Sequence, residues 1–146
     1  MKRIFTSGII LILVVLIGIQ FFPIDRTNPP VTREIRWDSP ETRLLAQRAC
    51  FDCHSNETSW PWYSRIAPVS LILYNHVTEG RNHLNFSAWD QPNHDFEEVE
   101  EVLNEGKMPT RDYLLLHPKA RLAQDEVARL QSGLRLSYQQ DPPIER

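Results

Sequence analysis

Cysteine is nearly missing from this 146-residue chain: Cys50 and Cys53 are the only two, so no second pair is on hand to complete a structural zinc site. Methionine is as scarce, Met108 being the sole one after the initiator. No stretch alternates apolar and polar residues long enough for a strand, and there is neither an internal repeat nor a low-complexity segment. These absences predict a mainly α-helical protein with no thioredoxin-like strand–helix–strand context. The length allows one domain and an appendage rather than two independent cores. A basic surplus is lacking too. All 19 acidic residues fall after position 24 and two of the 16 basic ones before it, so the chain beyond carries about −5, which argues against nucleic acid as a partner.

One long apolar run is present, at the start. Lys2 and Arg3 precede an unbroken apolar stretch from Gly8 to Ile19, continued by Phe21 and Phe22. From Ile4 to Ile24 the segment comes close to the roughly 20 residues a helix needs to cross hydrocarbon. No A-x-A cleavage pattern follows, so residues 1–24 read as an uncleaved anchor, with a cleaved signal peptide as the alternative. The positive-inside tendency puts the basic end in the cytoplasm and the remainder outside, in a bacterial periplasm, with the protein a single-pass component of the inner membrane.

Residues 25–38, with four prolines from Pro23 to Pro40 around them, read as an extended spacer. The functional domain is expected over 39–140. Its first helix should begin at Ser39-Pro40, a capping residue followed by a proline suited to the first turn. Leu44, Leu45 and Ala49 carry that helix into Cys50. A second helix is predicted over 68–80 with Gly80 as its stop, a third over 96–106 ended by Gly106, and a last one over 124–136 with Val127, Leu130 and Leu134 inward. The tail after it should fray. So small a helical domain, with long loops, needs something in its middle to complete a core.

The five residues Cys50-Phe51-Asp52-Cys53-His54 hold both thiols and an adjoining imidazole. A redox dithiol would want strands around it, and zinc would want further paired ligands. Covalent haem needs the fewest additions: two thiols to add across the vinyl groups and a histidine delivered to the iron, in an exported chain. One haem c per chain is therefore expected, with Cys50 and Cys53 attaching it and His54 as proximal ligand. Met108, followed by Pro109 after the predicted helix end at Gly106, is placed comparably to the distal methionine of class I c-type cytochromes. His76, His83 and His117 are alternatives for that position. By the same likeness, the Pro68 carbonyl is the candidate acceptor for the second ring nitrogen of His54. Trp60, Trp62, Tyr63 and Trp89 are expected to pack, Arg65 and Arg81 to be available for propionates, and His94 to be solvated.

The stretches "ACFDCHSNETSWPWYSRIAPVS", "HVTEGRNHLNFSAW", "GKMP" and "YLLLHPKARLA" together resemble the small bacterial haem-binding domain family, monohaem and c-type with an N-terminal membrane segment. The resemblance runs over nearly all of residues 39–136. It implies an all-α, cytochrome c-like domain around a covalent haem. The function expected is electron transfer with redox partner proteins in the periplasm or inner membrane, not catalysis. A haem-based sensor with a labile distal ligand is the alternative.

Overall fold

In the computed structural model, which describes residues 2–145 and the side chains of 5–144, helix dominates and strand is confined to two residue pairs. The order is α1 (Lys2–Ile19), α2 (Pro40–Ala49), α3 (Phe51–His54), a 3₁₀ turn (Trp62–Arg65), α4 (Val69–His83), β1 (Pro92–Asn93), α5 (Phe96–Asn104), α6 (Arg111–Leu116), a second 3₁₀ turn (Pro118–Ala120), α7 (Gln124–Gln140) and β2 (Ile144–Glu145). The chain forms two units, one of Met1–Thr27 with Trp60–His76, the other of Asn28–Ser59 with Val77–Arg146.

The larger unit is built as its caps and periodicity require. Ser39 accepts a hydrogen bond from the Thr42 amide at 3.2 Å and Pro40 opens α2. Asp95 caps α5 in the same way through the Glu98 amide at 3.1 Å. Gly106, at φ +60°, ends the segment after α5 in a left-handed conformation that only glycine adopts freely. The buried faces of α2 and α7 meet through Leu45, Ala46, Leu130 and Leu134. They approach so closely at Gly133 that an added Cβ would lie 2.0 Å from Thr42 Oγ1. Aromatic rings fill the rest of this core. Phe51, Phe86, Trp89, Tyr138 and Phe96 follow one another with ring centroids 5.1–6.2 Å apart, and the Trp89 indole donates to the Asp141 carbonyl at 2.9 Å.

Four departures from the expected elements have local reasons. The second helix runs three residues past Gly80, because that glycine serves close packing rather than termination. The stretch after Met108 coils into α6, a helix too short to show a full apolar period in sequence. The last helix continues to Gln140, four residues beyond its expected end at 136, with Ser137 and Tyr138 buried in the added turn. The tail does not fray: buried Asp141 accepts from the Arg36 amide at 2.9 Å and pairs with Arg33, while β2 lies parallel to β1 with Ile144 opposite Pro92.

Residues 28–38 are extended but packed into this unit. The amides of Thr32 and Ile35 donate to the Ser87 and Phe86 carbonyls, the Trp89 amide donates to Arg33, and Ile35 is buried in the core.

In the smaller unit the Gln20 side chain closes the end of α1. Its amide nitrogen donates to the Leu16 and Ala67 carbonyls at 3.1 and 3.0 Å, and its oxygen accepts from the Ala67 amide at 3.0 Å. Arg26 donates to the Ser64 carbonyl at 2.7 Å. Among the described residues no helix is both long and apolar enough to cross a membrane, so the anchor expected over 1–24 gains no support from helix length and composition.

Candidate functional site

Ala49 ends α2 and the chain turns at once into α3, so Cys50, Cys53 and His54 share a single helical turn. The Cys53 and His54 amides both donate to the Cys50 carbonyl, at 3.1 and 2.8 Å. The two intervening side chains go separate ways. Phe51 is buried in the aromatic core, beneath the Arg43 guanidinium at 5.3 Å. Asp52 faces the loop, where Oδ1 accepts from the Ser59 amide at 2.9 Å and the main-chain carbonyl accepts from the Thr58 hydroxyl at 2.8 Å. The motif is thus fixed from both sides before any ligand is considered.

His54 is held by its ring. Nδ1 lies 2.9 Å from the Gly80 carbonyl and 3.1 Å from the Leu84 carbonyl. Carbonyls only accept, so Nδ1 carries the hydrogen and the lone pair is at Nε2. Burial also keeps the ring neutral by pushing its pKa below 6.5, against the opposing pull of the Leu84 and Gly80 carbonyls. A neutral imidazole whose other nitrogen is engaged by backbone carbonyls is the form that binds a metal. The expected acceptor at Pro68 is corrected: that carbonyl receives the Leu71 and Ile72 amides in the first turn of α4. Gly80 and Leu84 take its place because α4 can come near the motif only where a residue has no side chain. A Cβ on Gly80 would stand 2.5 Å from the Cys53 carbonyl oxygen.

Both cysteines are free thiols. Burial first, then the neighbouring Cys53, pushes Cys50 up to about 12. Burial, with Asp52 and Asp112 nearby, pushes Cys53 up to about 11. They are neutral thiols at physiological pH, unlike the low-pKa thiolate of a redox dithiol. Among the described residues no group of three or more His, Cys, Asp or Glu side chains could hold a metal ion. The thiol, thiol and imidazole of one turn, with Nε2 uncommitted to backbone, fit a covalently held haem.

Met108 follows Gly106 and Lys107, is joined to Pro109 by a cis peptide bond, and is 42% exposed, so its thioether is not locked into the core as a gap-filler. The alternative histidines differ in setting. His117 Nδ1 donates to the Tyr113 carbonyl at 3.1 Å and its ring stacks on Tyr113 at 4.0 Å. His83 Nδ1 lies 3.1 Å from His94 Nε2, and His94 also meets Glu98, so His94 is paired rather than solvated. His76 is half-buried in α4.

Arg81 is not available for a propionate: it donates to the Ser55 carbonyl, Asn28 and Thr58 at 2.8–2.9 Å, tying the loop after the motif to α4. Arg65 is exposed. Of the aromatic residues, Trp89 packs as expected, whereas Trp62 is 75% exposed and makes an edge contact with Tyr63. The Trp60 indole N–H is buried with no hydrogen-bond partner among the described residues. Sequence reasoning missed Gly80 and Leu84 as the orienting carbonyls. An isolated glycine inside a helical pattern was the only signal they gave.

A family model described as a haem-binding domain matches residues 14–135. No curated protein and no solved structure matches the chain.

Proposed function

The chain belongs to the haem-binding domain family, and we propose that it is a membrane-anchored periplasmic monohaem cytochrome of the c type, passing single electrons between redox partner proteins. The observation that carries this reading is the double hydrogen bond of His54 Nδ1 to the Gly80 and Leu84 carbonyls, which presents Nε2 as a ligand beside two free thiols.

The chain's own parts then have these roles. Cys50 and Cys53 each add S–H across a vinyl group, the sulfur bonding to one carbon and the proton going to its neighbour, with no net oxidation. His54 supplies the proximal nitrogen, oriented and made more basic by its carbonyl partners. Met108 supplies the distal sulfur. The haem, once bound, provides the one-electron iron couple, and methionine–histidine ligation raises its potential. Tethering to a membrane is the part of this reading that rests on sequence order alone, Lys2 and Arg3 standing before the apolar run from Gly8 to Ile19.

The exposure of Met108 favours one second reading, a sensor in which a small molecule displaces the thioether. The test is the optical spectrum of protein matured in a periplasm with the cytochrome c assembly machinery. Haem that stays with the denatured chain, a low-spin spectrum and a weak red sulfur-to-iron band in the ferric form are expected, and His54→Ala should lose the low-spin state. Haem that extracts freely overturns covalent attachment. A high-spin spectrum turns the assignment to the sensor.

A further inference from the structure

The segment that carries Met108 joins α5 to α6. It leaves α5 through Gly106 and enters α6, a six-residue helix with no buried residue and no side-chain hydrogen bond at its Thr110 cap. From it the Tyr113 hydroxyl reaches across 61 positions of chain and donates to Asp52 Oδ2 at 2.6 Å, within the range of a charge-assisted O–H···O⁻ bond. Asp52 is one of the two residues between the thiols, and it is itself fixed by the Ser59 amide on Oδ1 and the Thr58 hydroxyl on its carbonyl. The donor is on the short helix α6 and the acceptor on the anchored turn that presents His54. Tyr113 is five positions from Met108, so their Cα atoms lie within about 17 Å of each other even on extended chain, and closer once α6 is coiled.

We propose that the Asp52–Tyr113 hydrogen bond is a latch that keeps the Met108 segment in place over the haem site and so sets how tightly the distal thioether is held. Tyr113 is a positioning residue: it acts on the iron only through Met108. The inference rests on the reading of Met108 as distal ligand, and the experiment separates the two.

Tyr113→Phe keeps the ring and its stack on His117 and removes only the donor. Asp52 is partly exposed, so water can take the place of the phenol and the variant should fold. With the matured, haem-loaded protein, the variant is expected to retain covalent haem while the ferric red band weakens. The affinity of the ferrous form for carbon monoxide should rise about tenfold, the size set by one hydrogen bond to a charged acceptor. Asp52→Asn, which keeps an acceptor but loses the charge, should change both in the same direction by a smaller factor. Met108→Ala is the control, and it should abolish the band and bind carbon monoxide most tightly. If Met108→Ala opens the iron but both latch variants match wild type, the latch is overturned and the ligand assignment stands. If Met108→Ala itself matches wild type, the ligand assignment falls and takes the latch with it.

Discussion

A glycine in the middle of a helix is normally a weakness, costing about 1 kcal/mol relative to alanine. At Gly80 the balance is reversed by position: the Cys53 carbonyl oxygen sits where a Cβ would be, at 2.5 Å, and that oxygen belongs to backbone that cannot swing aside. Gly80→Ala should therefore destabilise the protein by about 1–2 kcal/mol despite alanine's better helix propensity, overpacking outweighing the propensity gain. It should also displace one of the two carbonyls that hold His54. The urea midpoint and the haem spectrum of the variant check this together. An unchanged midpoint would mean that α4 can retreat at no cost. At this scale the grouping of Cys50, Cys53 and His54 on one turn was legible because they are neighbours in sequence. Gly80 and Leu84 were not, because they are 26 and 30 residues away from the ring they orient.

Between elements, the α2–α7 contact depends on another missing side chain. Gly133 admits Thr42, whose hydroxyl is shared with Ser39 Oγ at 3.0 Å at the start of α2. An alanine at 133 would meet the Thr42 hydroxyl, its methyl and its Cβ at 2.0, 2.8 and 2.9 Å. Gly133→Ala is expected to cost about 2–3 kcal/mol, and adding Thr42→Ala should recover only part of it, since the Cβ overlap remains. Chemical denaturation of the two single variants and the double variant measures the coupling, and purely additive losses would show that the two helices separate instead. The helices themselves were readable from Ser39-Pro40, from the apolar stripe of α7 and from Gly106. α6 was not, because six residues carry less than two turns of pattern.

For the molecule as a whole, the chain ends of the larger unit matter more than their composition suggests. Asp141 receives the Arg36 amide on its carboxylate and the Trp89 indole on its carbonyl, and β2 pairs with β1. Chain terminated after Gln140 should lose these bonds together and melt about 5–10 °C lower, at about 1 kcal/mol for each net hydrogen bond. A frayed tail would leave the melting temperature unchanged. The same unit draws residues 28–38 against the Asn85–Trp89 stretch, so what reads as a proline-rich spacer contributes Ile35 to the core.

The sequence by itself determined the helical class, the caps and the grouping of Cys50, Cys53 and His54, because each is written within four or five consecutive residues: an oxygen before a helix, a glycine after one, two thiols and an imidazole on one turn. Only the tertiary structure decided which carbonyls receive His54 Nδ1, which glycines allow two helices to touch, that Asp52 meets Tyr113, and that the C-terminal tail is tied down. Those contacts join residues from 26 to 108 positions apart. They are selected by packing and by the need to satisfy buried polar groups, neither of which leaves a period in the chain.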